Sequence, residues 1–184
     1  MARTSYPNPG ELGGEAGALL EAIGEDRGYV PNLYRMLAHS PALLGDFVEM
    51  TGHVRDTLSL PAAFRELAIL TVAQTARTPT PWLSHLPIAR AAGVSGEQIL
   101  GLTVWERHPT FSDEERAVIR FAEEVTRDVR ATDDTWRALS AFLDPRQLVE
   151  LSFVVGYYNM VARYLVALRI DIDPEYLAAA AGPS

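Results

Sequence analysis

Apolar residues recur at spacings of three and four along almost the whole chain, and no run of four to eight residues alternates as a strand would. The pattern predicts helices nearly end to end, with prolines and caps as punctuation. A weak amphipathic helix is expected from Glu11 to Ile23, softened by Gly13, Gly14 and Gly17. Pro31 suits a first turn, so Asn32 to Ala38 reads as a short helix. Pro41 opens the next, to about Leu58, and Pro61 a fourth, to about Arg77. Within that fourth helix, Leu67 to Ala73 is apolar on nearly every face, the mark of a buried helix. Thr78 to Pro81 interrupts the pattern with two prolines, and a fifth helix follows from about Pro81 to Ala92, stopped by Gly93. Pro87 falls in its early turns or kinks it. Capping-box patterns at Ser95–Gln98 and Ser112–Glu115 open a sixth and a seventh helix, the latter reaching about Val129. Thr132 starts an eighth. Asp144 with Pro145 starts a ninth, long helix to about Ile170.

The expected fold class is therefore all-α, with about eight or nine helices. The first ten residues are expected to be loose, and residues 11–184 to form one domain, with a joint at His108-Pro109. A chain of 184 residues can bury a sizeable core. Its net charge of −8 offers no basic surface for nucleic acid or anionic lipid. The longest apolar stretch, Leu151 to Ala162, is too short for a bilayer, and the N-terminus lacks the apolar run of a secretory signal. A cytoplasmic, soluble protein is expected. The chain has no Lys, which excludes a lysine Schiff base, and its Arg-only basic set reflects composition. It has no Cys, which excludes disulfides, thiolate metal sites and thiol catalysis. His39, His53, His85 and His108 lack ligand spacing, and no Gly-rich phosphate loop appears, so neither metal nor cofactor is expected.

Glu66 and His85 stand nineteen residues apart in the most distinctive stretch. It reads Pro61-Ala-Ala-Phe-Arg-Glu66-Leu-Ala-Ile-Leu-Thr-Val-Ala, then Thr78-Pro-Thr-Pro81-Trp82-Leu-Ser-His85-Leu-Pro-Ile-Ala-Arg90-Ala-Ala-Gly93. This resembles the carboxymuconolactone decarboxylase family, which also holds the alkyl hydroperoxidase D-type peroxidases. Further strings carry the likeness: Asp113-Glu-Glu-Arg-Ala-Val, Thr132-Asp-Asp-Thr-Trp136, Asp144-Pro-Arg-Gln147 and Gly156-Tyr-Tyr-Asn-Met160. The likeness extends from about residue 30 to residue 176. It implies an alkyl hydroperoxidase D-like helical bundle that assembles as dimers, trimers or hexamers, and a small-molecule substrate. The peroxidases carry a Glu, a Cys-x-x-Cys pair and a His here. The Glu falls on Glu66 and the His on His85, while the two cysteines fall on Thr78 and Pro81. Neither Thr nor Pro can supply a thiolate. Decarboxylase-like members often have Glu at the place of Pro81, so that loop acid is missing as well.

His85 lies near the start of its helix, where the dipole disfavours added positive charge and a neutral imidazole serves as a base. The alternative is a core histidine bonded to a carbonyl. Glu66 either orients His85 and donates a proton, or forms a salt bridge to an Arg such as Arg65. It stands about 18 Å along its helix from Thr78, at about 1.5 Å per residue. A tight hairpin is therefore expected to leave it away from His85 unless the helices cross or a third element bridges them. Trp82 either walls the pocket or packs. On the ninth helix Ser152, Gly156, Asn159 and Arg163 share one face. Arg163 either grips a substrate carboxylate or forms a structural ion pair. Tyr157 and Tyr158 offer hydroxyls, one of the two packing instead; Tyr157 is taken with Asn159 and Arg163 as substrate-binding. The expected function is a cofactor-independent lyase or isomerase of the carboxymuconolactone decarboxylase-like type. Its substrate would be a small carboxylated or lactone/enone-type molecule, worked on by His85 and Glu66. A non-catalytic scaffold of the same fold is the alternative.

Overall fold

The computed structural model describes residues 1–8, 10 and 12–181. Among them are ten α-helices and no strand. They are α1 (Gly14–Arg27), α2 (Asn32–Leu37), α3 (Pro41–Asp56), α4 (Ala62–Thr75), α5 (Pro79–Ala91), α6 (Gly96–Gly101), α7 (Asp113–Asp128), α8 (Asp133–Ser140), α9 (Pro145–Leu168) and α10 (Pro174–Ala181). A 3₁₀ turn, Leu102–Val104, follows α6. Glu11, where the sequence starts the first helix, lies outside the described residues. The caps were legible. Ser95 and Ser112 form reciprocal capping boxes with Gln98 and Glu115. The Asp144 side chain accepts from the Gln147 amide, and the Gln147 side chain accepts from that of Asp144. α10 was not anticipated, although Pro174 at its first position and a run of alanines favour a helix there.

The chain divides into two compact units. The first is Met1–Thr57 with Leu165–Asp173; the second is Leu58–Tyr164 with the helix that begins at Pro174. Periodicity shows which face of a helix is apolar but not which helix covers it, so such divisions are invisible to it. Three of the first residues have partners far along the chain. In the first unit the Ala2 amide and the Tyr6 hydroxyl donate to Asp171, and the Arg3 amide donates to the Leu168 carbonyl. A partner some 165 positions away leaves no local sign.

The second unit holds the site. Glu66 to Ala73 of α4 are all buried, as expected of that helix. Leu67 and Leu70 pack there with Leu86, Ala89, Ile99, Leu102, Trp105, Phe111 and Ile119. α9 is 24 residues long, longer than the apolar run suggested, and by length and composition alone would reach across a membrane. Half of that window is buried within the fold, as in a core helix.

The turn between α4 and α5 is tight. Ala76 caps α4, Arg77 takes a left-handed φ of 55°, and the Arg77 and Thr78 amides return to the carbonyls of Gln74 and Ala73. A non-glycine residue in that conformation costs about 1–2 kcal/mol. Thr78 then caps α5, and Pro79 is its first residue, two positions before the expected start. At the far end Gly93, with φ of 94°, closes α5 as expected. Pro87 lies inside α5, which runs through it.

Candidate functional site

The tight turn decides whether Glu66 and His85 meet. Glu66 lies nine residues before the end of α4, about 13 Å of rise, and His85 six residues into α5, about 9 Å back. The two levels therefore differ by only about 4–5 Å, which two long side chains span. The expectation that a hairpin would separate them counted the rise along one helix and not the return along the other. Oε2 of Glu66 stands 2.7 Å from Nδ1 of His85, with no third element needed.

Glu66 is 1% exposed and carries a second contact, from Nε of Arg65 to its Oε1 at 3.0 Å. The salt bridge to Arg65 and the contact with His85 are thus both present, one on each oxygen. Burial pushes its carboxyl up, but the hydrogen bond and charge of His85, then those of Arg65, outweigh burial and hold it below its ordinary value. It is a carboxylate at neutral pH, able only to accept. Nδ1 of His85 therefore carries the hydrogen of that bond, and in the neutral ring Nε2 is the acceptor. Nε2 is met by the Tyr158 hydroxyl at 2.9 Å, which donates to it. The two rings stand edge to face, 4.9 Å apart at 90°. His85 is 14% exposed at its side chain, and Tyr158 9%. Arg65, Glu66, His85 and Tyr158 thus form one hydrogen-bonded line drawn from α4, α5 and α9.

Tyr158 is the residue that sequence reasoning passed over in favour of its neighbour. Tyr157 stacks on Phe153 at 6.3 Å and packs edge-on against Tyr158 at 5.3 Å, so it supports the ring that touches His85. Nothing local distinguishes two adjacent tyrosines on a helix that is apolar on both sides. Asn159 and Arg163 do not join the line. The Asn159 amide donates to Thr126 and to the Val155 carbonyl, each at 2.9 Å, tying α9 to α7. Arg163 donates to the backbone carbonyl and the side-chain oxygen of Asn159. Ser152 donates to the Leu148 carbonyl. The polar stripe of α9 is satisfied within its own turns and by α7, which removes the need for a ligand there.

Trp82 packs partly against the core of α4 to α7 and also lines a hollow of about 430 Å³. Its walls include Gln74, Arg77, Thr78, Leu100 and Thr103 and are largely apolar. Glu66, His85 and Tyr158 are not among them. Thr78 and Pro81, the places of the two peroxidase cysteines, are buried. No group of three or more His, Asp or Glu suited to a metal occurs among the described residues.

Comparison with known proteins agrees with this architecture. Residues 41–124 match the family model described as the carboxymuconolactone decarboxylase family. The uncharacterized protein YnjA of Escherichia coli K12 is 33% identical over 89 residues, 48% of each chain, so the match spans about half the length of that curated relative. Among solved structures, an alkyl hydroperoxidase D core, peroxidase-related protein from Ralstonia eutropha JMP134 superposes over 100% of this chain and 98% of its own, with a TM-score of 0.83 and 16% identity. A Cys-to-Ala variant of the debrominase Bmp8, in complex with 2,3,4-tribromopyrrole, covers 97% of both chains with a TM-score of 0.81 at 12% identity. The fold is the alkyl hydroperoxidase D-like bundle.

Proposed function

We propose that this chain, whose residues 41–124 belong to the carboxymuconolactone decarboxylase family, is an acid–base enzyme in which His85 moves the proton and Glu66 fixes the ring. The observation that carries the reading is the 2.7 Å contact between a buried carboxylate and Nδ1 of an imidazole that is itself partly exposed. Such a carboxylate holds one tautomer and stabilises the imidazolium that forms when the ring accepts a proton. General acid–base catalysis of this kind contributes about 10²–10⁴-fold. The reaction is a proton transfer at carbon, completed as an isomerisation, a lyase step or a decarboxylation. With no cysteine in the chain, a thiol peroxidase step has no nucleophile. The brominated pyrrole held by the debrominase neighbour supplies a scale, a single small ring, and no more. The protein is expected to work in the cytoplasm as a homo-oligomer, without a cofactor.

The test sets wild type against His85→Gln on a panel of small lactones, enones and halogenated heteroaromatics, followed by absorbance and NMR. Turnover by the wild type alone, with both forms melting alike, supports the enzyme. Strong destabilisation by the substitution, with no turnover by either form, makes His85 structural and the protein a binding scaffold. The buried Thr78 and Pro81 favour that second reading, because both reactive positions of the peroxidases are filled by inert side chains.

A further inference from the structure

The hollow beside the α4–α5 turn is separate from the line through His85. The end of α4, the turn after it, the start of α5, α6 and the 3₁₀ turn wall it, and neither Pro81 nor His85 is among its residues. At about 430 Å³ it falls within the range of about 300–1,000 Å³ usual for small-molecule pockets. Trp82, Pro79, Ile99 and Leu100 give it an apolar surface. Leu100 is 82% exposed, so an apolar body laid against it would remove apolar area from water.

Charge narrows what that body carries. Arg77 lines the hollow, and among the described residues no hydrogen bond, ion pair or ring engages its guanidinium. Its backbone sits in the left-handed region at φ 55°, where Gly would make the same turn at less cost, so the turn itself does not call for an arginine. Among the described residues the hydroxyl of Thr103 in the same wall is also unengaged, whereas that of Thr78 donates to the Ala73 carbonyl. A guanidinium and a free hydroxyl beside an apolar wall suit an anionic acceptor on an apolar body. Arg77 is the one charged residue among the described lining residues, so a polyanion would find no second cation there. We propose that this hollow binds a small organic monoanion, with its carbon body against Trp82 and Leu100 and its charged end on Arg77 and Thr103. The site is independent of the acid–base reading of His85.

Titration of the full chain with octanoate, 1-octanol and octylammonium tests this, since the three chains are alike in shape and differ in charge. The readout is the indole ¹H–¹⁵N signal of Trp82. The chain has three tryptophans, and Trp105 and Trp136, which do not line the hollow, serve as controls. Octanoate is expected to shift the Trp82 signal saturably, with half-saturation at about 1 mM, and the other two to bind about fivefold or more weakly. Arg77→Gln should bring octanoate down to the level of octanol and leave octanol unchanged. Leu100→Glu, which sets an anion in the wall, should weaken octanoate at least as much. Both side chains are exposed, so both variants should melt as the wild type does. Octanol or octylammonium binding as tightly as octanoate overturns the charge of the ligand. Octanoate affinity unchanged by either substitution overturns its placement on Arg77 and Leu100. A Trp82 signal that stays still, or moves only together with those of Trp105 and Trp136, overturns the site. No turnover is read, so each of these failures leaves the acid–base reading standing.

Discussion

Two buried carboxylates lie in the same unit, and they keep different partners. Glu66 on α4 accepts from Arg65 and His85. Glu150 on α9 accepts from the Ser59 hydroxyl at 2.9 Å, the Leu60 amide at 2.8 Å and Nε of Arg146 at 2.8 Å. Both are held below the ordinary carboxyl range. In each case burial raises the pKa and is outweighed, at Glu150 by Arg146, Ser59 and the backbone amides beside it. Burial, charge and a neighbouring arginine therefore do not separate Glu66, the carboxylate of the proposed acid–base pair, from Glu150. What separates them is the partner. Glu150 is ringed by donors whose protons stay where they are, so it clamps the loop before α4 onto α9. Glu66 faces an imidazole, whose proton can leave.

The sharpest way to break this comparison is to remove the charge at each site in turn. Glu66→Gln keeps the shape and removes the anion that, in the proposed function, stabilises the imidazolium. Turnover should fall by about 10²–10⁴-fold, while thermal melting moves by only a few degrees. Glu150→Ala should do the reverse. It leaves the buried Leu60 amide without its acceptor, at a cost of about 1–3 kcal/mol, with turnover per folded molecule unchanged. Urea unfolding and steady-state rates on the same samples check both. A rate loss in Glu150→Ala as large as in Glu66→Gln would mean that the two carboxylates serve one site.

The clamp and the relay differ also in how far the sequence revealed them. The motif pointed to Glu66 and His85, and the tight α4–α5 turn, though not foreseen, follows from Arg77 tolerating a left-handed backbone and Pro79 starting a helix at once. The helices themselves were legible because their caps are local: Ser95, Ser112, Thr132 and Asp144 each bond within three residues. Tyr158 was not separable from Tyr157, since both face inward and only the position of α5 decides which hydroxyl finds Nε2. Asn159 and Arg163 looked like ligand groups because a polar stripe on an apolar helix demands partners. Their partners turned out to be α7 and each other. Glu150 gave no sign of its role, because the Ser59 hydroxyl and the Leu60 amide that donate to it lie 91 and 90 positions away.

A smaller effect follows from pH. Both carboxyls have folded pKa values below the ordinary 4.5. A depressed folded value contributes stability that is fully present above the unfolded pKa and is lost as pH falls through the folded one. Melting temperature should therefore hold steady from neutrality down to about pH 5.5 and decline below about 4.5. In Glu150→Gln the clamp's share of that decline should disappear, and the part due to Glu66 should remain. A wild-type curve that instead falls on raising the pH from 4 to 7 would contradict the sign for both groups.

The smallest effect separates the two arginines. Arg146 is largely exposed, so its pair with Glu150 is screened, and Arg146→Ala should cost no more than about 1 kcal/mol because Ser59 and Leu60 still hold the carboxylate. Arg65 is mostly buried, at 12% side-chain exposure, and donates to the buried Glu66, so Arg65→Ala should lose more stability than Arg146→Ala. It should also weaken the hold on Glu66 and change the rate, which Arg146→Ala should not. Equal small losses of stability, with rates unchanged in both, would reduce Arg65 to a surface pair and leave His85 as the one partner that matters to Glu66.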